Sequence, residues 1–138
     1  MGKAKLTVGI VIRDGGRVLL VEHGEAASAL KGTYGLPAGK LDSNENFINA
    51  CLREAKEETG LTIDENDLKR LDHVYYAEIA RNDGTVKPFG MIVFATDKFE
   101  GELITTDEAR PQWVNIEELD KLNLLPNVKE AIEEALSI

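Results

Sequence analysis

A mixed β-sheet with helices on both faces, an α/β or α+β class, is the architecture this chain predicts. Three observations carry it. Two β-rich pairs flank tight turns at Asp14-Gly15-Gly16 and Asn82-Asp83-Gly84. Residues 46–59, between those pairs, contain neither Pro nor Gly and repeat apolar positions at helical spacing. Beyond the second pair, two more helical stretches close the chain. At 138 residues it suits one domain, 1–138, able to bury a core without disulfides.

The elements follow in order. Residues 5–12 (K-L-T-V-G-I-V-I) read as a largely buried strand rich in β-branched side chains, with residues 17–22 as its hairpin partner. Residues 24–32 form a loop or short helical turn with Lys31 near its end. Tyr34-Gly35-Leu36-Pro37-Ala38-Gly39 is a short strand, a Pro and small residues, and small residues let backbone atoms approach a ligand. The helix over 46–59 ends at Gly60, a left-handed cap. Residues 71–80 and 86–95 are strands, and Pro88 places the start of the second at an edge or irregularity. Residues 112–114 form a short strand. Residues 116–122 and 127–136 are helices, the second capped by Asn127 just after Pro126. No internal repeat, low-complexity stretch or linker interrupts this order.

Composition narrows the function classes. Apolar residues make up 43% of the chain, ordinary for a soluble globular protein. A net charge of −9 weighs against a nucleic-acid polymer as partner, because such binding relies on clustered Lys and Arg. No apolar run approaches the ~20 residues that span a bilayer, and the start M-G-K-A-K-L lacks a signal-peptide core. No membrane partner and a cytoplasmic location are therefore the expectations. Cys51 lies on the apolar arc of the long helix and reads as a buried, inert thiol. His23 and His73 have no second His or Cys at ligand spacing, so zinc is not indicated and each reads as structural or exposed.

The chemistry concentrates in that helix. At roughly 100° per residue, Glu54, Glu57 and Glu58 fall within an arc of about 100°, beside an apolar arc formed by Phe47, Ile48, Cys51, Leu52 and Ala55. Carboxylates on adjacent turns repel by some tenths of a kcal/mol per pair. A hard cation such as Mg²⁺, which takes oxygen ligands and shares its shell with substrate phosphates, turns that repulsion into binding. Taken alone, the stripe also reads as an ordinary charged helix face.

Its surroundings favour the metal. Gly39, Glu45, Arg53-Glu54, Glu57-Glu58 and Gly60-Leu61 stand at fixed offsets within residues 39–61, G-K-L-D-S-N-E-N-F-I-N-A-C-L-R-E-A-K-E-E-T-G-L. This segment resembles the signature of the Nudix hydrolases, enzymes that cut a pyrophosphate link in a nucleoside diphosphate joined to another group. Every fixed position is filled, and the likeness is densest over residues 34–61. Two departures are mild: Tyr34 stands where many relatives carry Trp, and Ala38 where they carry Gly.

The resemblance implies a Nudix-type α/β/α sandwich and a small-molecule nucleotide substrate. It implies Mg²⁺, with Mn²⁺ as a substitute, held by Glu54, Glu57, Glu58 and the carbonyl of Ala38. The proton acceptor would be Glu54 or, from a later loop, Glu108, while Arg53 would orient a carboxylate with Glu45 as a partner or a more distant ligand. Tyr34 and Lys31 are the residues expected at the substrate. Trp113 resembles an aromatic beneath the site, with plain core packing as the alternative. Tyr75 and Tyr76 fall near where relatives place substrate-selecting residues, one of them inward and one outward. No Pro stands there, which disfavours ADP-ribose. Members of this family are often homodimers, so a second copy is the partner the resemblance raises, and oligomeric state stays open. Nucleoside triphosphates lead as substrates. Nucleotide sugars, ADP-ribose and dinucleoside polyphosphates are the alternatives within the enzyme class. A non-catalytic nucleotide sensor is the alternative outside it, weakened because such proteins commonly lose these carboxylates.

Overall fold

The computed structural model describes residues 4–24 and 31–138. Seven strands form one mixed sheet: β1 (Lys5–Asp14), β2 (Arg17–His23), β3 (Tyr34–Gly35), β4 (Ala38–Lys40), β5 (Lys69–Ala80), β6 (Val86–Thr96) and β7 (Ala109–Asn115). The main path runs β3-β2-β1-β6-β5, with β4 paired to β1 and β7 to β2. β1 and β6 are parallel and the other pairs antiparallel, which makes the sheet mixed, as the sequence predicts.

Alternation along the central strands divides the core into two layers. Val8, Ile10 and Ile12 of β1, with Ile92 and Phe94 of β6, pack against Ala50, Cys51 and Ala55 of helix α1 (Phe47–Thr59). Val11, Val93 and Ala95 on the opposite face pack against Val128, Ala131 and Ile132 of helix α2 (Val128–Leu136). The helices thus cover opposite faces of the sheet. Tyr75 joins the α2 layer while Tyr76 is exposed, matching the expected alternation. Cys51 is buried, and burial pushes its thiol up to about 12.

The Gly60 cap of α1 is as expected, and Asn46, read as the first helical residue, is its N-cap. Asn46 accepts from the Asn49 amide at 2.8 Å, and Gly60 adopts φ 86° while its amide bonds back to Lys56. Pro88 lies one residue before β6 begins to pair with β1, in the part of the strand that pairs only with β5, which is the edge alternative of the expectation.

Four readings need correction. β7 starts at Ala109 rather than 112, because its whole length pairs with β2. The stretch 116–122 is a 3₁₀ helix, Ile116–Lys121, rather than an α-helix. A 3₁₀ turn at Glu65–Asp67 was not anticipated. Asn127 precedes α2 but does not cap it with its side chain: it sits at φ 71°, and its Nδ2 donates to the Tyr76 carbonyl at 2.7 Å. The bond to β5 outcompetes the local cap. The expected loop over 24–32 falls mostly outside the described residues. No helix among the described residues is long and apolar enough to cross a membrane.

Candidate active site

β4 brings the site together. Its three residues lie beside α1, and each meets a different functional side chain of the helix. The Ala38 amide donates to Glu58 Oε1 at 2.7 Å. Gly39 lies against the Glu54 carboxylate so closely that a Cβ there would overlap all three carboxyl atoms. The Lys40 carbonyl accepts from Arg53 Nη2 at 2.9 Å. A side chain at position 39 would therefore displace the Glu54 carboxylate, so glycine is required there for contact and not for conformational freedom.

Arg53 organises the acidic stripe. Its guanidinium forms a two-pronged pair with Glu45, Nε to Oε2 at 2.8 Å and Nη2 to Oε1 at 2.9 Å. Nη1 reaches Glu54 at 2.8 Å and Glu57 at 3.2 Å. The Arg53 bond holds Glu45 down at about 2. Glu54 is raised by burial, against the pull of Arg53. Glu58 is pushed up to about 7, first by burial and then by Glu54, Glu108 and Glu57, with the Ala38 amide opposing. Glu108 is thereby close enough to act on Glu58, although its own side chain is exposed.

This donor set fits a divalent cation. The carboxylates offer hard oxygens, burial and mutual repulsion disfavour their combined charge, and Gly39 leaves backbone room beside Glu54. As placed, one Arg53 nitrogen holds Glu54 and Glu57 while the Ala38 amide holds Glu58, and no three acidic, His or Cys side chains among the described residues converge as ligands.

A cavity opens where α2 stops covering the sheet. Thr7, Met91, Phe89, Tyr75, Ala77 and Ile79 share one sheet face by register and floor it. Gly35, Leu36 and β4 wall one side, and Leu125 to Val128 the other. Its volume is about 180 Å³. Since a cavity of ~150 Å³ takes up benzene, there is room for one flat ring system rather than two. Lys40 and Arg81 stand at the rim, and Lys5 above all, with burial, Arg81 and Lys87, holds the Lys40 ammonium below its ordinary value. A basic edge thus borders the cavity of an acidic protein.

Of the residues selected from sequence, Arg53, Glu54, Glu57, Glu58 and Ala38 come together, and the charge of Glu108 helps raise Glu58. Tyr34 and Lys31 do not line the cavity. Tyr34 turns to the α2 core and to Glu22, because β3 pairs with β2 there. Lys31 is exposed, and its amide donates to Asn82 at 3.1 Å. Trp113 packs against Phe99 with ring centres 5.2 Å apart on the α1 side, which is the core alternative. His73 is exposed and pairs with Glu134. His23, read as structural or exposed, lines the cavity. The period-2 pattern in Lys5/Thr7, Phe89/Met91 and Tyr75/Ala77/Ile79 was the available signal for this wall.

Comparison with known proteins places these features. A family model described as NUDIX domain matches residues 3–135. The chain is 31% identical over 119 residues to an oxidized purine nucleoside triphosphate hydrolase of Danio rerio, covering 86% of this chain and 71% of that protein. It is 33% identical over 115 residues to an ADP-ribose pyrophosphatase of Methanocaldococcus jannaschii, covering 83% of this chain and 63% of that one. The crystal structure of a MutT NUDIX hydrolase from Burkholderia pseudomallei superposes with a TM-score of 0.80 at 26% identity, covering 96% and 98% of the two chains.

Proposed function

Because the chain belongs to the Nudix hydrolase family, we propose that it hydrolyses the pyrophosphate link of a nucleoside triphosphate, with Mg²⁺ or Mn²⁺ and with the base seated in the β1–β6–β5 cavity. The observation that carries this reading is β4, whose three residues line that cavity while touching Glu58, Glu54 and Arg53. Recognition and chemistry then share one wall.

Glu54, Glu57 and Glu58 would hold the cation, which when bound neutralises phosphate charge and eases the loss of a proton from water. The protein's own groups do the rest. Arg53 fixes the directions of Glu54 and Glu57, and the Ala38 amide fixes Glu58. The rim cations Lys40 and Arg81 attract the phosphate chain. Water attacks phosphorus, its proton passes to a carboxylate, and the P–O bond to the bridging oxygen breaks in line, leaving that oxygen on the departing phosphate group. Either Glu54 or Glu108 takes the proton. Glu54→Gln and Glu108→Gln, compared by the pH dependence of kcat in excess Mg²⁺, separate them, because only the acceptor's loss removes the limb that rises as a carboxylate gives up its proton.

The test is a screen of nucleoside triphosphates, nucleotide sugars, ADP-ribose and dinucleoside polyphosphates for phosphate or pyrophosphate release, run beside Glu57→Gln. Turnover of a triphosphate that vanishes in a folded Glu57→Gln protein supports the reading. Full turnover in that variant, or none with any nucleotide, refutes it.

A further inference from the structure

We propose that His23 reads the base, its Nε2 accepting a hydrogen bond from a ring N–H. The cavity then favours nucleotides of lactam bases (guanine, hypoxanthine, uracil, thymine) over adenine and cytosine, whose matching ring nitrogen carries only a lone pair. This rests on the reading that the cavity seats the base.

The argument begins with the imidazole's other nitrogen. Nδ1 lies 3.1 Å from the Thr33 carbonyl oxygen and 3.2 Å from its hydroxyl. A carbonyl oxygen only accepts, so Nδ1 carries the proton and donates. Burial lowers the affinity of the ring for a second proton, more than the Thr33 bond raises it. A neutral ring protonated at Nδ1 keeps its lone pair at Nε2.

Nε2 faces the cavity. It has no hydrogen-bond partner among the described residues, yet no side-chain nitrogen or oxygen there is both fully buried and unpaired. It therefore retains contact with open space, and the cavity is the space His23 lines. The ring edge lies against Gly35, whose missing side chain makes room: a Cβ there would stand 3.2 Å from Cε1 and 3.1 Å from Leu125 Cδ1. Thr33 fixes the ring from behind while Gly35 and Leu125 hold it from the sides.

A second polar group points the same way. Asn127 also lines the cavity: one N–H of its amide donates to the Tyr76 carbonyl, and its carbonyl oxygen stays available to accept. The His23 Nε2 lone pair is thus an acceptor set in apolar walls, with the Asn127 amide beside it able to accept through its oxygen. A base that offers donors satisfies them; a base that brings its own lone pair leaves both sides unpaired at a cost.

Inosine and adenosine monophosphates form the cleanest pair, since they differ only in the lactam edge. In metal-free titration calorimetry the wild type should bind inosine and guanosine monophosphates about tenfold more tightly than adenosine monophosphate, the scale of one buried hydrogen bond made or refused. His23→Leu should reduce that preference to about twofold or less, and His23→Gln, which offers an amide oxygen, should restore part of it. Correlation spectra of ¹⁵N-labelled histidine, assigned with His73→Gln, should show His23 protonated at Nδ1 alone. Equal binding of inosine and adenosine monophosphates by the wild type overturns the proposal, as does a proton on Nε2. These tests involve neither turnover nor metal. Equal binding of the two monophosphates would therefore sink the role of His23 and leave the hydrolase reading standing, whereas absent hydrolysis would sink only the latter.

Discussion

Glu58 makes the metal-free protein sensitive to alkali, and Glu58→Gln should remove that sensitivity. In the folded chain its carboxyl is raised from 4.5 to about 7. The folded state therefore binds a proton that the unfolded state releases at lower pH. The resulting stability is complete below about 4.5 and is lost as pH rises through about 7. A gap of that size between the two states corresponds to about 3 kcal/mol. For a chain of this length that is roughly a 10 °C change in Tm. Gln keeps an oxygen for the Ala38 amide and drops the charge that Glu54, Glu57 and Glu108 oppose.

The assay is urea unfolding of both proteins in EDTA, at several values from about pH 5 to about pH 8.5, so that the difference isolates this group. The two should match at the acid end, and Glu58→Gln should be more stable by about 3 kcal/mol at the alkaline end. Excess Mg²⁺ should then narrow or reverse the difference by stabilising the wild type more than the variant, since binding to the folded state alone adds to its stability. Parallel stability curves across the whole range would show that Glu58 titrates as an ordinary surface carboxyl, and the account of its burial would fail.

Other substitutions test separate parts of the site. Arg53→Lys keeps the charge but loses the fork on Glu45, and should lower kcat about tenfold to a hundredfold while stability changes by about 1 kcal/mol, read by kinetics beside urea unfolding. Gly39→Ala should lower kcat about a hundredfold by driving the Glu54 carboxylate aside, whereas Ala38→Gly, whose contact with Glu58 runs through the backbone, should cost about 1 kcal/mol of stability and little rate. Gly60→Ala should cost about 2 kcal/mol or more in thermal unfolding, because φ is 86° and a Cβ would stand 2.5 Å from the Glu102 carbonyl.

What could be read from the sequence was what short range decides. The Asn46 and Gly60 ends of α1, the acidic arc and the buried arc beside it all follow from spacing within fifteen residues or so. Arg53 as an organiser came from the resemblance to the Nudix signature and not from helical spacing. The cavity was not legible, because its walls come from β1, β4, β5, β6 and the start of α2, and only the sheet register brings them to one face. Tyr34 illustrates the difficulty. A lone aromatic beside the signature is equally able to face either way, and pairing of β3 with β2 turned it from the cavity. Asn127 misled for another reason: its residue type suits a helix cap, but a carbonyl on a distant strand took its amide.

β4 explains why so short a strand can carry so much. Side chains of a strand alternate between faces, so three consecutive residues cannot all point at one helix. β4 avoids that limit by using its backbone: an N–H from Ala38, a bare Cα from Gly39 and a C=O from Lys40. The Lys40 side chain is left free to join the basic rim, and Ala38 lies 3.5 Å from where a Cβ on Gly9 would stand. Pairing with β1 through Thr7, Val8 and Gly9 sets this register. Slipping by one residue would set Ala38 or Lys40 against Glu54 in place of Gly39, and neither can give up its Cβ. The demand for glycine at position 39 is therefore a demand on register, and the sheet that forms the cavity also aims the carboxylates.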